Sequence, residues 1–161
     1  MMGGDSCPRA GEAMGYESAQ FSSDLERRMR SAGLPEVRPL SSIYDEEHFG
    51  SGEATFEVGP LLVRIVRDRD QESLALAFVD APRSFHAFED VEICIGWRTI
   101  EGVISASHPQ NLDVSLRKFA DHYVELCTAF SGEQARFTRA RIRDTEKKRR
   151  KAYINHLKTR R

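Results

Sequence analysis

Between residues 18 and 32 the apolar side chains Phe21, Leu25 and Met29 return at every fourth position, the spacing of one helix face. Gly33 and Pro35 follow at once and stop a helix there. The polar stretch "RPLSSIYDEEHFGSG" reads as a loop. Beyond it the period drops to two. Phe56 and Val58 alternate with Thr55 and Glu57, and after Gly59-Pro60 the residues Leu61, Val63 and Ile65 face one way. Leu74, Leu76 and Phe78 alternate again before Pro82. Three short strands with tight connections predict an antiparallel meander.

The second and third strands are separated by Arg67-Asp68-Arg69-Asp70-Gln71. Such a charged run between two apolar ones marks a hairpin tip, where the backbone leaves the sheet. Arg69 and Asp70 then form the turn proper, flanked by Asp68 and Gln71. Arg67 falls on the core face at the end of the sheet. A guanidinium there needs a carboxylate or helix C-terminal carbonyls, because desolvating it unpaired is costly. Its expected role is structural.

In "FEDVEICIGWR", residues 88–98, Val91, Ile93, Ile95 and Trp97 alternate, whereas Phe88, Val91, Cys94 and Ile95 make a helical stripe. The helical reading is adopted. Residues 112–130 carry Leu112, Leu116, Phe119, Tyr123, Leu126 and Phe130 at helical spacing, predicting one helix ended by Ser131-Gly132. The following segment favours helix but has no apolar residue from 143 to 151, so it is expected to project into solvent or onto a partner.

These elements predict an α+β fold: an N-terminal helix, a three-stranded antiparallel meander, and C-terminal helices packed on one sheet face. Residues 1–15 are expected to be a disordered leader, 16–132 the α+β domain and 133–161 a basic helical tail. The expected core is Phe56, Val63, Ile65, Leu76, Phe78, Leu116, Phe119 and Tyr123.

Composition adds a strong asymmetry. Residues 1–135 hold 12 basic and 23 acidic side chains, whereas residues 136–161 hold 12 basic and 2 acidic ones. An acidic body with a basic tail bears on partners rather than on fold. The first lysine in the chain is Lys118, which leaves no lysine for catalysis in the strands. No apolar run suits a membrane-spanning helix, and no secretory signal is visible. Three cysteines without a CxxC pair read as reduced thiols, Cys94 and Cys127 in the core. A cytoplasmic protein is expected.

Candidate chemistry is sparse. Asp45, Glu46, Glu47 and His48 cluster, and His86 lies three residues before Glu89, but neither spacing is that of a zinc site. The sequence has no G-x-S-x-G, no GxGxxG and no P-loop. No cofactor or metal is expected. Asp68, Asp70 and Glu72 lack the lysine that a metal nuclease pattern would place beside them, and they read as salt-bridge and turn residues. The tail offers Arg139, Arg143, Lys147, Lys148, Arg149, Arg150 and Lys151 for phosphate neutralisation, with little aromatic interleaving for base stacking.

The stretch "FGSGEATFEVGPLLVRIVRDRDQESLALAF", with its VRDRxQ core, resembles small bacterial immunity-type proteins encoded beside polymorphic or contact-dependent toxins. The resemblance spans residues 16–130 in outline. It implies a non-enzymatic protein that binds and occludes a cognate toxin domain, without specifying which. An acidic body suits a basic toxin domain, so Asp45, Glu46, Glu47, Asp68, Arg69 and Asp70 are the expected partner contacts. The alternative is a nucleic-acid-binding accessory or regulatory protein acting through the basic tail.

Overall fold

The computed structural model describes residues 16–45, 47, 50–106 and 108–160. The expected leader, Glu46 and His48 therefore lie outside the described residues. Helix α1 (Tyr16–Ser31) is followed by strands β1 (Val37–Asp45), β2 (Ser51–Val58), β3 (Leu61–Asp68), β4 (Gln71–Phe78) and β5 (His86–Ala87). Helices α2 (Phe88–Ile95), α3 (Ile100–Ser105), α4 (Leu112–Asp121), α5 (Tyr123–Ala129) and α6 (Gln134–Thr159) complete the chain. The α+β class is as the sequence predicts, but the sheet has five antiparallel strands in the order β1-β2-β3-β4-β5 rather than three.

The two extra strands lie at the sheet edges. β1 occupies the segment expected to be a loop, and only Val37 and Ser42 of it are buried. An edge strand with so little burial shows no apolar alternation. It also tolerates Pro39, beside which the pairing with β2 slips. β1 is tied to α1 instead: Ser42 Oγ donates to the Ser18 carbonyl at 2.8 Å, and the Tyr44 amide donates to Ser18 Oγ at 2.9 Å. β5 is two residues long, too short for any period to register.

Alternation in the central strands sends Phe56, Val58, Leu61, Val63, Ile65, Leu74, Leu76 and Phe78 to one face, where all are buried. Gly52 keeps that face open at its end, since a β-carbon there would stand 2.9 Å from the Phe21 ring. The helices supply Leu25, Met29, Phe88, Val91, Leu112, Leu116, Phe119, Leu126 and Ile142 to the same core. Seven of the eight expected core residues are fully buried; Tyr123 is partly covered and packs against the cluster.

Residues 112–130 are two helices, not one. The chain bends at His122 (φ −112°, ψ 19°), yet Leu126 and Phe130 still reach the core, so the apolar stripe continues through the bend.

The tail differs most from expectation. α6 is helical but docks against α2, α3 and α5 instead of projecting. Its inner side is a seam of Ala135, Thr138, Ile142, Thr145, Arg149, Ala152 and His156, spaced three and four apart. Thr138, Ile142 and Thr145 are buried. A seam built from threonine, alanine and arginine is invisible to a search for apolar periodicity.

Candidate interaction surfaces

The first surface is acidic. Antiparallel pairing matches Asp45 with Ser51, Gly52 with Arg67 and Asp68 with Gln71. The β1–β2 and β3–β4 turns therefore lie at the same end of the sheet. Asp45, Glu47, Asp68, Arg69 and Asp70, which the sequence offers as two separate groups, share that end. Glu47, Glu53, Asp68, Arg69 and Asp70 are exposed there, and Asp45 is half-buried. Ile43, 73% exposed, stands across from Glu53 and adds an apolar side chain on the β1 edge of this surface.

Beneath it the scaffold is tightly tied. Glu72 accepts two hydrogen bonds from Arg28 at 2.9 Å each and two from Arg67, from Nε at 3.0 Å and Nη2 at 2.6 Å. Arg28 Nε also donates to Asp113 at 2.9 Å, so the network joins α1, the β3–β4 hairpin and α4. Burial pushes the Glu72 carboxyl up, but the hydrogen bonds from Arg28 and Arg67 outweigh it, and the net shift is below the ordinary value. Arg67 also lies over the Phe21 ring, 5.0 Å from its centroid. The carboxylate partner expected for Arg67 is thus Glu72, and the residue is structural. Arg69 sits in the turn with φ 57°, a left-handed conformation that is costly for a side chain.

The second surface is the outer side of α6. At 3.6 residues per turn, Arg136, Arg143, Lys147, Arg150, Lys151 and Lys158 fall within about 100° of one another on the side of the helix turned away from the buried seam. All six are exposed. Arg143, Lys147, Arg150 and Tyr153 border a cleft of about 530 Å³ that Glu146, Asp90 and Arg149 also line. Among the described residues, Arg143, Lys147 and Arg150 have no carboxylate partner.

The tail residues put forward from the sequence thus divide. Arg139 donates to Asp80 at 2.6 Å, and Arg149 grips Asp90, so both serve packing. Lys148 pairs with Asp144 at 2.6 Å on the helix surface. Arg143, Lys147, Arg150 and Lys151 face solvent.

A third group is buried, and of its members the sequence singles out only His86. His86 Nδ1 meets Glu146 Oε1 at 2.5 Å rather than engaging Glu89. Asp90 and Glu92 are buried on α2 and point to different neighbours. Glu92 accepts from Lys118 Nζ at 2.6 Å and from Arg98 at 3.4 Å, so the first lysine of the chain neutralises a fully buried acid. The available signal was three carboxylates, Glu89, Asp90 and Glu92, among the apolar residues of "FEDVEICI"; those that the helix buries require partners. These pairs anchor α2 between α4 and α6.

Cys94 is buried, and burial raises its thiol above the ordinary value; Cys127 is half-buried, not in the core as expected. Among the described residues, no three His, Cys, Asp or Glu side chains converge as a metal site would require. No described helix is long and apolar enough to cross a membrane. No protein-family model matches the chain, and no curated protein or solved structure shows significant similarity to it.

Proposed function

We propose that the chain is a non-enzymatic immunity-type protein that binds a cognate, basic toxin domain and neutralises it by occlusion. The observation that carries this reading is the shared placement of the two acidic turns at one end of the sheet, with exposed Ile43 on the adjoining edge strand. Stoichiometric inhibition needs a complementary surface rather than a reaction centre. An acidic surface accelerates encounter with a basic partner and fixes its orientation. An exposed apolar side chain beside a charged patch adds a water-excluding contact, the kind on which affinity rests. The Arg28–Glu72–Arg67 network beneath holds the surface in place before binding, which lowers the ordering cost of association.

The test is co-expression with the variable C-terminal domain of a large secreted protein encoded beside the gene. Restored growth and a one-to-one complex are expected. In the complex, Asp68→Asn with Asp70→Asn should slow association about tenfold at low salt and leave the melting temperature unchanged. Absence of such a neighbouring gene, or growth that stays arrested while the chain accumulates, overturns the reading.

A further inference from the structure

We propose that the outer face of α6 binds the phosphate backbone of nucleic acid without regard to base sequence. This surface is separate from the acidic end: α6 packs on α2, α3 and α5, while the acidic turns adjoin α1 and β1. Arg136 and Lys158 are 22 residues apart on a continuous helix. The stripe is therefore about 33 Å long, close to one turn of a B-form duplex. Along it, cations recur at intervals of three, four and seven residues.

Two features distinguish this stripe from an ordinary solvated helix face. Among the described residues, the cations at its centre make no ion pair even though the body of the chain is rich in acids; Arg139 and Arg149, one step round the helix, use those acids. Arg143, Lys147 and Arg150 also converge on a concave cleft, where their fields add. The two carboxylates that also line the cleft are engaged, Asp90 by Arg149 and Glu146 by His86, so a backbone phosphate there meets three cations, and Tyr153 on its wall offers a surface to the sugar or base. The same face suits an anionic bilayer less well. Interfacial helices bury a broad apolar face, whereas the inner seam of α6 is already packed and its exposed large apolar residues Phe137, Ile154 and Leu157 are spread round about 160° of the helix.

The experiment is fluorescence anisotropy of the full chain with labelled 20-base-pair duplexes of two unrelated sequences, in DNA and in RNA form. Both sequences should bind alike, and the DNA and RNA arms identify the source of the phosphate. With about four phosphates neutralised, affinity should fall about 100-fold between 50 and 200 mM salt. Arg143→Gln, Lys147→Gln and Arg150→Gln combined should reduce affinity at least tenfold and flatten the salt dependence, with the melting temperature unchanged. Asp68→Asn with Asp70→Asn should leave the salt slope within one unit of the parent. The proposal is overturned if neither duplex binds micromolar protein at 50 mM salt, or if the triple variant binds as the parent does. Capture by phosphatidylserine vesicles without duplex binding overturns it in favour of a membrane surface.

Discussion

Arg149 on α6 holds Asp90 on α2 with two parallel hydrogen bonds, Nε to Oδ1 at 2.5 Å and Nη2 to Oδ2 at 2.7 Å. The pair is unequal in exposure: the Asp90 side chain is 3% accessible and that of Arg149 is 34%. Loss of the arginine leaves a carboxylate buried without a counter-charge, while loss of the acid leaves a guanidinium that can turn into the cleft. Arg149→Met should therefore destabilise the protein by about 3 kcal/mol, the lower end for a broken buried pair. Asp90→Asn should cost less, about 1–2 kcal/mol. Urea unfolding of the two single variants checks the asymmetry, and equal losses would contradict it.

Glu72 makes stability depend on acidity. Its carboxyl titrates lower in the folded chain than in the unfolded one, whose ordinary value is 4.5. A depressed acid contributes its full stabilisation above the unfolded value and loses it as pH falls through the folded value. The gap in unfolding free energy between the parent and Glu72→Gln should be present at pH 7 and shrink as pH falls below 4.5. Denaturant titrations at pH 7, 5 and 3 measure it. A gap that stays constant would place the stabilising effect elsewhere.

Gly59 occupies the β2–β3 turn with φ 58°, and a β-carbon added there would come within 2.1 Å of the Tyr123 hydroxyl. Gly59→Ala must push Tyr123 aside and also holds alanine in the left-handed region, at about 1–2 kcal/mol for the backbone alone. A total loss of about 2–3 kcal/mol is expected. Adding Tyr123→Phe should restore only part of it, since the ring carbon beneath the hydroxyl is 3.3 Å from the new methyl. Thermal melts of the single and double variants decide the point.

At the β3–β4 turn the sign reverses. Arg69 holds φ 57°, where glycine is preferred. Relief of about 1–2 kcal/mol of strain is partly offset by about 0.4–1 kcal/mol of added chain entropy in the unfolded state. Arg69→Gly should raise stability by about 0.5 kcal/mol, seen as a small rise in the urea midpoint. A loss would mean that the arginine side chain contributes more than its backbone costs.

The elements legible from sequence are those whose side chains face a single apolar core. Phe21, Leu25 and Met29 mark α1, and Leu61, Val63 and Ile65 mark β3, because burial on one face leaves a period behind. β1 left none, since as an edge strand it is held by hydrogen bonds to Ser18 and to β2 rather than by buried apolar residues. The docking of α6 was hidden for a related reason: His86, Asp90 and Arg149 supply charge pairs where a period search expects leucines. The acidic residues were legible one by one, but their convergence depends on strand register, which local pattern does not specify when one flanking strand goes unrecognised. Which cations of the tail face inward follows from the seam of Thr138, Ile142 and Thr145, and that seam has only one apolar member of any size.

The separation of an acidic sheet end from a basic outer helix has an electrostatic consequence that the net charge of −1 conceals. A molecule with patches of both signs should interact with charged matrices through whichever patch faces them. At low ionic strength near its isoelectric point of about 6.5 it should be retained by both anion and cation exchangers. Its copies will also attract one another through patches of opposite sign, an association that weakens as salt shortens the Debye length to about 8 Å under physiological conditions. A partner held at one patch alters the field felt at the other, and through it the rate at which a second charged ligand arrives.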